Sequence, residues 1–229
     1  MAQSDVFQKK HEDTLAQDQR AILEEMNLPP GVVTFLRTNA KNIKILIVVL
    51  VIGLLAWEGY GKYTSVQREK SSAQLYDAIS TEDKASSAEQ LKTIADQFSG
   101  TGSAIWAQVE LGHMALGEEK YQEAAGFYAA ALDALSESNP MFPLVQFSLA
   151  QAYENTANTG KAKEAYQKLI DIPGFASEGN LGLGRVAESE GDLKQALAHY
   201  QEYVNLPDVG PGPTKEWVES RISQLNKAK

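Results

Sequence analysis

The chain has 229 residues, with 30 acidic and 21 basic side chains for a net charge of −9, three histidines and no cysteine. Without cysteine there is no disulfide, thiolate nucleophile, zinc finger or lipid-bearing cysteine. Residues 1–62 hold seven charges of each sign, so the whole excess falls on the fourteen basic and twenty-three acidic residues that follow. Such an acidic body argues against nucleic acid, which needs clustered Lys and Arg to neutralise its phosphates.

In chain order, residues 1–40 read as a polar N-terminal tail. Its first thirty residues show no continuous apolar stripe, and "NLPPG" ends any helix before Pro29 and Pro30. Disorder, or a helix induced by a partner, is the reading of that part. From Ile45 to Trp57 the chain carries no charge and no strongly polar group. Residues 41–63 are read as a single transmembrane anchor in contact with the lipid bilayer. Lys41 and Lys44 stand before the apolar run, where their stems let the ammonium groups reach the headgroups. Trp57, Tyr60 and Tyr63 follow it as an interfacial belt. From Ala40 to Tyr60 a helix rises about 31 Å, enough for a hydrocarbon core of about 30 Å. Some forty residues precede the run and no small-x-small cleavage pattern follows it, which argues against a cleaved signal peptide. Arg37, Lys41 and Lys44 lie close before Ile45, whereas only Lys62 lies equally close after Trp57. That bias places the N-terminus inside and the large C-terminal part outside.

After Tyr63 the chain is a series of helical segments between loops such as "SGTGS" and "SESNPMFP", with no strand pattern. The segments repeat. "LGHMALGEEKYQEAAGFYAAAL", "LAQAYENTANTGKAKEAYQKLI" and "LGRVAESEGDLKQALAHYQEYV" each begin with Leu and a small residue: Leu111-Gly112, Leu149-Ala150 and Leu183-Gly184. Each then places Ala115, Tyr153 or Ala187 three positions on, an alanine nine later (Ala124, Ala162, Ala196) and a tyrosine four after that (Tyr128, Tyr166, Tyr200). This pattern and its period of 34 to 38 residues resemble the tetratricopeptide repeat, in which small residues let antiparallel helices close on an aromatic plug. Residues 103–207 therefore form three repeats. Residues 64–102 form a linker helix and a degenerate first unit, with Leu75, Tyr76, Ile79, Ala88 and Ala95 at matching offsets. Residues 213–227 form an amphipathic capping helix with Val218, Ile222 and Leu225 inward. The fold class is all-α: one N-terminal transmembrane helix, then an α-solenoid with a C-terminal cap.

No catalytic pattern emerges. "GLGRVA" spells a dinucleotide fingerprint, but it lies inside a repeat helix instead of after a strand, so Gly184 is a packing residue. His11, His113 and His199 are too scattered to hold a metal. No enzyme activity and no cofactor are expected. Binding of proteins is expected on the groove that the first helix of each repeat lines. The positions that the repeat architecture assigns to it are Trp106, Val109, His113 and Leu116, then Phe147, Gln151, Glu154 and Asn155, then Arg185 and Glu188, with Leu144 and Leu181 beside them. Chaperone-tail-binding members of the repeat family clamp carboxylates with Lys, Arg and Asn, and only Asn155 and Arg185 match that here. The groove would suit apolar or extended segments; alternatively Trp106, Val109 and Phe147 pack inward against the first unit.

At the level of the whole chain, "FLRTNAKNIKILIVVLVIGLLAWEGYGKYTSVQREKSSAQLYDAI" (residues 35–79) resembles the start of the ancillary SecYEG translocon subunit family. Phe35, Asn39 and Lys41 form the approach to the anchor, and Trp57, Tyr60 and Tyr63 the aromatics after it. The tail here is longer than that family's usual leader. The resemblance implies a bacterial inner-membrane protein with a periplasmic repeat domain. Its implied partners are Sec translocon subunits, a membrane-anchored periplasmic chaperone and exported chains. A homo-oligomer or scaffold docking through the capping helix and Trp217 is the rival reading.

Overall fold

The computed structural model describes residues 29–227; the first 28 residues, with the expectation of disorder made for them, lie outside it. Ten α-helices, and no strand, occur among the described residues. Two compact units divide at Tyr63/Thr64.

The first unit contains α1 (Pro30–Thr38) and most of the apolar half of α2 (Ala40–Ser80). Helix α1 was not foreseen, because the two prolines read only as a stop signal. Pro30 instead stands at the first helical position, where its missing N–H costs nothing. The Thr34 and Thr38 hydroxyls donate back to carbonyls one turn earlier. Helix α2 runs on past Tyr63 to Ser80, so the apolar segment and the linker helix after it are one continuous element. It is long and apolar enough to cross a membrane, and its apolar window buries nothing inside the protein. Trp57, Tyr60 and Tyr63 are 82, 71 and 61% exposed, and Lys41 and Lys44 are exposed as well.

The second unit is a stack of helix pairs. It comprises the end of α2 with α3 (Lys84–Gln97), α4 (Gly102–Gly117) with α5 (Tyr121–Ala134), α6 (Phe142–Asn155) with α7 (Thr159–Ile170), and α8 (Ala176–Ser189) with α9 (Leu193–Asn205). Helix α10 (Pro213–Lys227) closes the array. Side-chain caps start several helices: Asp83, Thr101, Asn158 and Asp192 each accept from a backbone N–H three residues on. The turn inside each of the last three pairs is the same. The N–H groups of Lys120, Asn158 and Asp192 each reach a carbonyl five residues back, and the residue before each has a positive φ. Gly191 takes that conformation freely, whereas Glu119 and Ala157 hold it at a steric cost.

Packing centres on three tyrosines. Tyr128, Tyr166 and Tyr200 are fully buried, and a ring of that size stabilises by about 1.5–3 kcal/mol through apolar burial. Each ring lies against a backbone that has no side chain to spare. A Cβ at Gly112 would sit 2.5 Å from Tyr128, at Gly184 2.4 Å from Tyr200, and at Gly182 2.3 Å from Tyr166. The first pair follows the same geometry one residue out of the expected register. Tyr76 and Ile79 are 73 and 49% exposed, while Ala78, Ser87 and Leu91 are buried. Their spacing of nine and then four matches that of Ala115, Ala124 and Tyr128. Leu91 therefore takes the tyrosine's place, and Ser87 donates to the Ala78 carbonyl at 2.8 Å.

These contacts predict opposite outcomes for two glycine substitutions inside helices. Gly182→Ala forces the Tyr166 ring to move and should destabilise by about 1–3 kcal/mol. Gly126→Ala, where nothing lies within 4 Å, should stabilise by roughly 0.5–1 kcal/mol through helix propensity. Urea unfolding followed by circular dichroism separates them; equal effects would refute the close-packing account.

Candidate partner-binding groove

Successive first helices lie side by side, and polar bonds stitch them. The Arg185 guanidinium on α8 donates to both carboxylate oxygens of Glu154 on α6, at 2.8 and 2.7 Å, and also to Tyr166 Oη at 3.0 Å. Tyr166 itself donates to Glu154 at 2.5 Å. One unit later, Tyr200 donates to Glu188 at 2.9 Å, and Arg221 of α10 pairs with the same carboxylate. Helix α10 thus stands where the first helix of a further repeat would be, with Arg221 in the place of Arg185. Burial disfavours the charge on Arg185, but the bonds and charge of Glu154 outweigh it and hold the guanidinium more firmly protonated than usual.

The ladder stops at the junction of the first and second full repeats. There Leu116 occupies the place of Glu154, and the buried Tyr128 Oη has no hydrogen-bond partner among the described residues. The nearby Ser148 hydroxyl donates to the Leu144 carbonyl instead. Burial pushes the Tyr128 phenol up to about 12, and burial does the same for Tyr200.

This arrangement sorts the residues assigned to the groove. Glu154, Arg185 and Glu188 are taken up in the ladder, and the Asn155 amide donates to the Gln151 carbonyl. Val109 is 4% exposed and belongs to the core between α4, α5 and α6, against which Leu116 also packs. Phe147 is half-buried, edge-on to Tyr166 with ring centroids 6.3 Å apart. Gln151 is half-buried, and His113 is exposed with its ring on the edge of Tyr128. The apolar side chains that do face outward are Trp106 (39% exposed), Leu144 (58%) and Trp217 (48%), with Leu181 half-buried. Trp217 and Arg221 were not assigned to this face from sequence. The signal for them was there: they stand 36 residues after Leu181 and Arg185. Among the described residues no group of three His, Cys, Asp or Glu could hold a metal ion.

Two phenylalanine substitutions probe the ladder. Tyr166→Phe leaves Glu154 and Arg185 short of a partner and should cost about 1–2 kcal/mol, whereas Tyr128→Phe removes an unpaired buried hydroxyl and should be neutral or stabilising. Denaturant midpoints of the two variants decide; a comparable loss in both would mean that Tyr128 has a partner.

Residues 34–227 match the tetratricopeptide repeat-like domain family, so the match takes in the apolar helix as well as the repeats. No curated protein matches the chain. Among solved structures, nearly identical tetratricopeptide-like repeats of a Podospora anserina kinesin light chain (Q17M) align with a TM-score of 0.51 at 16% identity. The alignment covers 72% of this chain and 85% of that one. At that identity the likeness concerns the fold alone, an α-solenoid of helix pairs. With a family match over most of its length and the tyrosine-plugged pairs in place, the chain belongs to the tetratricopeptide repeat-like domain family.

Proposed function

We propose that this protein is a membrane-anchored, protein-binding repeat array that holds extended, apolar segments of other chains against its first-helix face. In this reading it is a single-pass protein of the bacterial inner membrane, with its N-terminus in the cytoplasm and its repeats in the periplasm. It works there as a translocon-associated, chaperone-like adaptor for newly exported chains. The observation that carries the binding role is the outward row Trp106, Leu144 and Trp217, on a face whose arginines are already neutralised by Glu154 and Glu188. With those two guanidiniums engaged, the ladder has none to offer a terminal carboxylate, while the row beside it can cover apolar side chains. The basic residues before the anchor support the compartment, and the resemblance of residues 35–79 supports the translocon.

The test joins topology to crosslinking. A reporter fused after Lys229 and active only outside the cytoplasm should be active. Photo-crosslinkers at Trp106 and Leu144 should then capture exported chains or translocon subunits, while one at Lys168 on α7 should not. A reporter active only inside would sink the periplasmic reading, and equal capture from all three sites would sink the groove.

A further inference from the structure

One end of this face opens into a pocket of about 490 Å³ between α6, α8, α9 and the loop before α10. Phe147, Leu181 and Val209 supply apolar wall, and Glu178 and Asp208 supply carboxylates. Neither carboxylate forms an ion pair among the described residues. Among these residues Glu178 accepts only the Ser177 hydroxyl, at 2.7 Å. The one basic residue of the lining, Lys215, donates to the Val209 carbonyl at 3.4 Å. Tyr203 also lines the pocket. It is 7% exposed, and its hydroxyl has no hydrogen-bond partner among the described residues. Burial raises the Tyr203 phenol, and the charges of Glu178 and Asp208 raise it further, so both carboxylates act on the same spot.

We propose that this pocket selects a basic residue, Lys or Arg, within the extended apolar segment bound on the first-helix face. The aliphatic stem lies on Phe147 and Leu181, and the cationic head meets Glu178 and Asp208, with the Tyr203 hydroxyl as a further acceptor. The chemistry needed is a long apolar stem ending in a cation, because the walls are apolar and two carboxylates outnumber the single ammonium of Lys215, which is turned to a backbone carbonyl. An acidic or terminal carboxylate is repelled here and finds no free guanidinium on the adjoining ladder. The excess of acid over base beyond residue 62 works in the same direction, by drawing basic segments in from solution. The inference rests on the groove reading above and adds the charge of the occupant to it.

The test uses the full-length chain in neutral-lipid nanodiscs, with empty nanodiscs as blank. Two fluorescein-labelled peptides are compared, both rich in alternating Ala and Leu; one has a central Lys and the other norleucine. In low salt the Lys peptide should bind about tenfold more tightly, the size of one well-made charged hydrogen bond. Glu178→Gln with Asp208→Asn should make the two peptides equal without changing the melting temperature. Glu178→Lys with Asp208→Lys should turn the preference towards a peptide with central Glu. Equal, measurable binding of both peptides by the wild-type chain would overturn the pocket assignment and leave the groove standing. If neither peptide binds, the groove reading falls and this inference falls with it.

Discussion

The structure depends on how closely each tyrosine ring lies against a helix backbone. Tyr128, Tyr166 and Tyr200 each fill a gap that exists only because glycine or alanine faces them. A larger residue at Gly112, Gly182 or Gly184 would hold the helices apart, and a smaller one at the tyrosines would leave a void between them. The same contact is made within a pair by Gly184 and between pairs by Gly182. One residue type in one register therefore sets both the pair geometry and the stacking of pairs. Each pair buries its apolar face only against its neighbours, and this is why the array needs several of them.

That packing decides what reaches the binding face. The tyrosine hydroxyls emerge at the first helices, where two of them meet glutamates that also hold arginines of the next unit. The charges that sequence patterns assign to ligand binding are thus spent on joining repeats. Once Glu154 and Arg185 satisfy each other, each is worth less to an incoming ligand, which would have to break a two-pronged bond to reach it. What remains available is the apolar row one to three turns nearer the helix starts, together with the carboxylates at its far end. The binding character proposed for this face comes from what the ladder leaves free.

The helical pairs, their order and the tyrosine plugs were legible in the sequence because they recur at fixed spacing with residues of matching size. Where the repeat lost its tyrosine, the register slipped by one. Leu75 and Tyr76 imitate the Leu-small opening, and only the burial of Ala78, Ser87 and Leu91 corrects it. The groove was less legible. A list of first-helix positions cannot tell Val109, which turns into the core, from Leu144, which does not, since both are aliphatic and only the packed helices show which one is covered. Pairing between Glu154 and Arg185 was also hidden, because the partners stand 31 residues apart and meet only after two helices have stacked. Trp217 was noted as part of a cap, yet its 36-residue offset from Leu181 makes it the counterpart of Leu181 on the helix that follows.

In the proposed reading, an apolar strip with one acidic pocket is a weak and tolerant binder by construction. It lacks the bidentate clamps that fix a single ligand, and an extended segment loses conformational entropy as it is ordered on the face. Weakness of that kind suits a partner whose sequence varies, provided the partner is already nearby. A membrane anchor supplies that condition. Confining the array to the bilayer surface replaces bulk encounter by a local effective concentration that reaches the millimolar range for short tethers. Affinity that would be useless in free solution then suffices for chains appearing at the same membrane, and fast release follows from the same weakness. In the proposed reading, the apolar helix before the repeats is therefore part of the binding mechanism: it provides in proximity what the face, with its arginines committed to holding the repeats together, does not provide in contact energy.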